Sequence, residues 1–166
     1  APLQTKQDAP APAFRLGYFF HLVTDNLWSR RVGRPTQERY RRQFEADKDF
    51  IWEVKKDWYG LDFIYLRDHP DCLFWRDFMS ARPENGELDF LPLEAVQQRV
   101  EYIRQYYQRT DEKANSLYNR PYEYLSQADM DAFVKETGER LHRIYTYLWI
   151  DARPAEGVAP ALALVA

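Results

Sequence analysis

The chain has 166 residues, with 23 Lys and Arg against 26 Asp and Glu, for a formal net charge of −3. That length suits one ordinary domain, and that charge excludes a generally basic nucleic-acid binder while leaving room for a local basic patch. A mean hydropathy of −0.67 without an apolar run near the ~20 residues of a membrane span excludes a transmembrane helix, and a lone cysteine, Cys72, excludes both an internal disulfide framework and a Cys-rich zinc module.

Residues 1–13 (APLQTKQDAPAPA) read as a flexible leader, since they are proline-rich and lack the apolar stretch of a signal peptide. The missing initiator Met points to processing or to a piece of a longer chain. Residues 14–151 read as a single helical domain. Its 10 Phe, 5 Trp and 12 Tyr, counted over the whole chain, bring enough apolar area per residue to stabilise a compact core. In the first segment Phe14, Gly17, Tyr18, His21, Leu22 and Asp25 share one side of a helix. Arg30, Arg31, Arg34, Arg39, Arg41 and Arg42 follow, with Glu38 as the single acid among them. They form either a phosphate-attracting rim or a solvated face paired with acids elsewhere.

Asp47 and Asp49 precede a stripe of Phe50, Ile51, Val54, Trp58, Leu61 and Tyr65, expected inward on a helix that Gly60 weakens and Pro70 ends. His69 is expected to cap that helix, and Asp71 to cap a short one with Leu73, Phe74 and Phe78 inward. The alternative for His69 and Asp71 is a pair of extra metal ligands or a general base. Cys72 reads as core. Residues 80–92 form the main irregular connection. Pro92 opens a helix carrying Leu93, Val96, Val100, Ile103 and Tyr107. Ser126 with Asp129 resembles a capping box before Met130, Phe133, Val134, Leu141, Ile144 and Leu148. Glu139 and His142 have a di-iron spacing without a second copy, so they read as surface. Asp57 and Asp62 fall on different faces of their helix and make poor partners for each other. Tyr102, Tyr106, Tyr107, Tyr118, Tyr122 and Tyr124 read as helix–helix contacts or as a pocket lining. Residues 152–166 read as a flexible Ala/Pro-rich tail. No strand alternation and no internal repeat is present, so the expected fold is all-α, an irregular bundle of about five or six helices.

His21 and Asp25, four residues apart on one helical face, can reach one metal ion; the plainer alternative is a histidine bonded to its helical neighbour. The run Phe14–Trp28 contains Gly17-Tyr18-x-x-His21-Leu22-x-x-Asp25-x-x-Trp28. It resembles the G-Y-x-x-H-L-x-x-D-x-x-W helix of bacterial zinc-dependent phospholipase C-like proteins. Residues 50–70 look like a segment of uncharacterised members of that group. The resemblance implies an all-helical fold, zinc as cofactor, His21 and Asp25 as zinc ligands, and a phosphodiester or phospholipid substrate; separately, the arginine cluster makes Arg30, Arg31 and Arg34 candidate phosphate binders. Such enzymes draw further His and Asp ligands from segments before this helix and from a later His-x-x-x-Glu helix. Here only the Pro-rich leader precedes His21, and neither His69 nor His142 has a Glu four residues on. The expectation is a hydrolase-like protein, incomplete or inactive as this chain, in a soluble and cytoplasmic setting. The alternative is a non-catalytic helical structural or interaction module.

Overall fold

The computed structural model describes residues 10–83 and 91–150, with side chains from residue 13 onward. The expected leader up to residue 9, the tail from 151, and residues 84–90 of the expected connection lie outside the described residues. Among the described residues the fold is all-α, with no strand. Seven α-helices occur where five or six were expected: α1 (Pro10–Trp28), α2 (Arg34–Arg39), α3 (Arg41–Ala46), α4 (Phe50–Asp68), α5 (Leu93–Tyr107), α6 (Glu112–Tyr118) and α7 (Gln127–Tyr145). Single π-helical turns span Ser29–Gly33, Phe74–Phe78 and Thr146–Ile150. No described helix is long and apolar enough to cross a membrane.

α1 begins at Pro10, inside the segment expected as a leader. Prolines are tolerated there because first-turn N–H groups have no intrahelical acceptor. α1 then runs into α2 without a break, since Trp28, Gly33 and Arg34 all keep right-handed helical dihedrals. The π-helical turn Ser29–Gly33 falls where Pro35 lacks the N–H that would bond the Arg31 carbonyl, and the Arg34 N–H reaches back to the Ser29 carbonyl instead. Tyr40, at φ −110° and ψ 29°, ends this rod. Asp47 accepts the Asp49 N–H at 2.8 Å and turns the chain into α4.

Two apolar clusters hold the helices together. Val23 and Leu27 of α1 meet Ile144 and Leu148, joined by Phe19, Phe20, Leu141 and Trp149. Val32, Leu61 and Leu125 form the second cluster, with Trp28, Trp58 and Met130. Phe133 belongs to both. Trp28 stands edge-on to Trp58 and to Phe133, each at 5.0 Å between ring centres, a favourable aromatic arrangement. A third aromatic group surrounds Phe63, where Tyr106, Tyr107 and Tyr118 lie 5.3–6.2 Å away. These tyrosines serve helix–helix packing.

α4 sits in the middle, burying Val54, Asp57, Gly60, Leu61, Phe63 and Leu66. Asp57 is fully buried. Its Oδ2 accepts the Tyr124 and Leu125 backbone N–H groups at 2.7 and 3.2 Å. Its Oδ1 makes no hydrogen bond and faces the Arg120 Nε at 3.5 Å. Arg120 also bonds Glu53, one turn earlier on α4, at 2.9 Å. Gly60 proves to be a contact point. A β-carbon there would stand 2.4 Å from the Leu117 carbonyl oxygen at the end of α6.

Several sequence expectations change in the structure. Tyr65, Leu73 and Val134 were expected inward and are 49%, 66% and 58% exposed. α4 buries Phe63, against Tyr106, Tyr107 and Tyr118 of α5 and α6, and Leu66, which leaves Tyr65 between them on the outer side. Cys72 is half-buried. Asp71 caps nothing, because the Phe74–Phe78 turn starts at Leu73 with no side-chain cap. Pro92 is the N-cap of α5, one position before the helix, and its carbonyl accepts the Ala95 and Val96 N–H groups. The Ser126 cap holds as expected, with its Oγ accepting the Asp129 N–H at 3.1 Å. Glu139 and His142 are exposed. α6 carried little apolar signal; its mark was Asp111, which accepts the Ala114 N–H at 2.9 Å.

Gly60→Ala is expected to destabilise the protein by about 1–3 kcal/mol in urea unfolding, although alanine favours an isolated helix. Asp57→Ala is expected to cost about 3 kcal/mol in the same measurement, because two backbone N–H groups lose their acceptor and Arg120 loses a buried counter-charge.

Candidate functional site

α1 has a buried side and an outer side. Phe19, Phe20, Val23 and Leu27 face α7, which turns Tyr18, His21, Leu22 and Asp25 outward. His21 Nε2 lies 3.3 Å from Asp25 Oδ2, with the two side chains 64% and 62% exposed. In a tetrahedral zinc site, bonds of about 2.1 Å set neighbouring N and O donors roughly 3.4 Å apart. The observed 3.3 Å is that of a histidine paired with its helical neighbour, the plainer alternative read from the sequence, and is also close to the spacing of two ligands on one ion. Among the described residues, no group of three or more His, Cys, Asp or Glu side chains has the arrangement to hold a metal.

His69 ends α4. Its backbone N–H bonds the Tyr65 carbonyl at 2.9 Å, its Nδ1 lies 2.8 Å from the same oxygen, and its ring stacks on Tyr65 at 4.2 Å. This is the expected cap on the preceding helix. Nδ1 must carry the proton to donate to a carbonyl, which leaves Nε2 as the acceptor. Asp71 is exposed in the following turn. Neither joins His21 and Asp25 in a shared cluster.

The arginine segment divides into two groups. Arg31 bonds Glu136 on α7 at 2.5 Å, and Glu136 also accepts from Arg140 at 2.6 Å. The guanidinium of Arg39 lies 5.4 Å from the centre of the Tyr40 ring. Arg30, Arg34, Arg39, Arg41 and Arg42 have no carboxylate within 4.0 Å among the described residues. The pairing with distant acids considered from the sequence is therefore limited to Arg31. Arg30, Arg31 and Arg34 share one continuous helical rod with His21 and Asp25.

Sequence reasoning missed one polar pair. The Tyr107 hydroxyl donates to Asp62 Oδ2 at 2.5 Å between α5 and α4. Burial pushes the Asp62 carboxyl up against the opposing effect of the Tyr107 hydroxyl, and burial with the facing carboxylate pushes the Tyr107 phenol up. The partners stand 45 positions apart, so no local pattern announced them.

A carboxyl raised by folding contributes its stability in full below its ordinary value of 3.8. It loses that contribution as pH rises through the folded value. Asp62→Asn is neutral throughout. The stability of this variant relative to wild type is expected to increase as pH rises above the ordinary carboxyl value of 3.8, read from denaturant unfolding at each pH. A difference independent of pH would contradict a raised Asp62.

Comparison with known proteins gives no matching family model, no matching curated protein and no matching solved structure.

Proposed function

We propose that the chain is a zinc-dependent hydrolase-like protein of the phosphodiester- or phospholipid-cleaving type, with His21 and Asp25 as two of its metal ligands. The observation that carries this reading is the 3.3 Å separation of His21 Nε2 and Asp25 Oδ2 on an open helical face, which matches a shared tetrahedral ion. The resemblance of residues 17–28 to the zinc-ligand helix of phospholipase C-like proteins supports it from the sequence side. Zinc, when bound, supplies Lewis acidity toward a phosphoryl oxygen and an acidified water.

The chain's own residues have distinct parts in this reading. His21 ligates as a neutral imidazole and Asp25 as a carboxylate. Arg30 and Arg34 attract substrate phosphate with planar guanidinium groups suited to two-point contact, while Arg31, also a candidate from the sequence, is held by Glu136. Zinc sites use three or four protein ligands. The site is thus incomplete with these two side chains, and in this reading the remaining donors come from residues of this chain outside those described or from a second copy of it.

The test is zinc content by plasma mass spectrometry on untagged protein equilibrated with micromolar zinc. Zinc bound by the wild type is expected to be lost in both His21→Ala and Asp25→Ala. Each variant in its metal-free form is expected to stay within about 0.5 kcal/mol of wild-type stability, because the pair is exposed. Equal zinc content in wild type and both variants, or no uptake at all, would overturn the reading and favour a non-catalytic helical module.

A further inference from the structure

A cleft of about 370 Å³ lies between α2 and the first half of α7, apart from His21 and Asp25. Its size is that of a small-molecule site. Val32 and Leu125, both buried, and Phe133 give it an apolar floor. Tyr40 and Tyr124 form one wall, edge to face at 5.0 Å. That wall is held in place, since the Tyr40 hydroxyl donates to the Glu123 carbonyl at 3.2 Å and Phe50 packs edge-on to Tyr124 at 5.5 Å.

The charges around the cleft differ in how they are satisfied. Glu136 is bonded by Arg31 and Arg140. Asp129 accepts the Ser126 hydroxyl at 2.6 Å in the first turn of α7, where the helix dipole favours a negative charge. Arg31 is held by Glu136. Arg39 has no carboxylate partner among the described residues, and it rests on the Tyr40 ring at the cleft wall. The cleft therefore combines an aromatic and apolar interior with one uncommitted guanidinium.

We propose that this cleft binds a small aromatic anion, a planar ring bearing a phosphate or carboxylate, with the ring on the Val32–Leu125–Phe133 floor and the anion on Arg39. A guanidinium pairs strongly with such anions, and the tyrosine wall accommodates a ring edge-on. The site is independent of the zinc reading.

The test is isothermal titration calorimetry in EDTA buffer with phenyl phosphate, benzoate, inorganic phosphate and phenol. The better of phenyl phosphate and benzoate is expected to bind one per chain, at least about tenfold tighter than inorganic phosphate or phenol. That comparison also tells which anion the site prefers. Arg39→Gln is expected to weaken this binding about tenfold or more with an unchanged melting temperature. Ala132→Phe, which fills the cleft from an exposed position on α7, is expected to abolish it. His21→Ala is expected to bind as wild type does. No binding at millimolar ligand, equal affinity for inorganic phosphate, wild-type affinity in Arg39→Gln or Ala132→Phe, or loss in His21→Ala would each overturn the proposal.

Discussion

The Asp57 carboxylate, fully buried in the middle of α4, fixes how the second half of the chain returns to the first. Burying a charge is costly unless hydrogen bonds and an opposite charge replace its water. Here two backbone N–H groups from residues 124 and 125 and the Arg120 guanidinium provide that replacement. The same contacts pin the segment just before α7. The direction from which α7 approaches α1 follows, and with it the core formed by Val23, Leu27, Ile144 and Leu148.

Close approach is the second constraint, and it also acts through α4. Gly60 lets the end of α6 settle onto the helix, with the Leu117 carbonyl where a β-carbon would otherwise stand. Three residues on, Phe63 gathers the tyrosines of α5 and α6. An aromatic-rich composition thus becomes a set of ring contacts between helices, and Tyr102 alone of the six singled-out tyrosines is exposed.

Packing of this kind uses only one side of α1. The helix spends Phe19, Phe20, Val23 and Leu27 on α7, leaving His21 and Asp25 in solvent beside exposed Tyr18 and Leu22. Farther along the same rod a π-helical turn precedes Pro35; Arg31, within that turn, reaches across to Glu136, and Arg39, beyond it, rests on Tyr40. A single continuous helical rod therefore carries both the exposed His21–Asp25 pair and the arginines from Arg30 to Arg39. The cleft lies between the end of that rod and the first half of α7.

Much of this was legible in the sequence because it depends on neighbours within a turn. Helical periodicity gave the all-α class, α1, α4, α5 and α7. The four-residue spacing brought His21 and Asp25 together, and Ser126 announced the start of α7. Longer-range features could not be read. Asp57 read only as a poor partner for Asp62, because Arg120 and residues 124–125 lie more than sixty positions away. Gly60 looked like a weak point because the carbonyl it admits belongs to another helix. The stripe ending in Tyr65 was misjudged because α4 packs on several sides at once, so no single face decides burial. Sequence by itself determined that the long periodic segments of α1, α4, α5 and α7 are helical and which side chains share a turn there, since hydrogen bonding and side-chain spacing in a helix are local. Only the tertiary structure decided which faces are covered, which charges are neutralised and where a cleft remains, since each depends on groups that folding alone brings within reach.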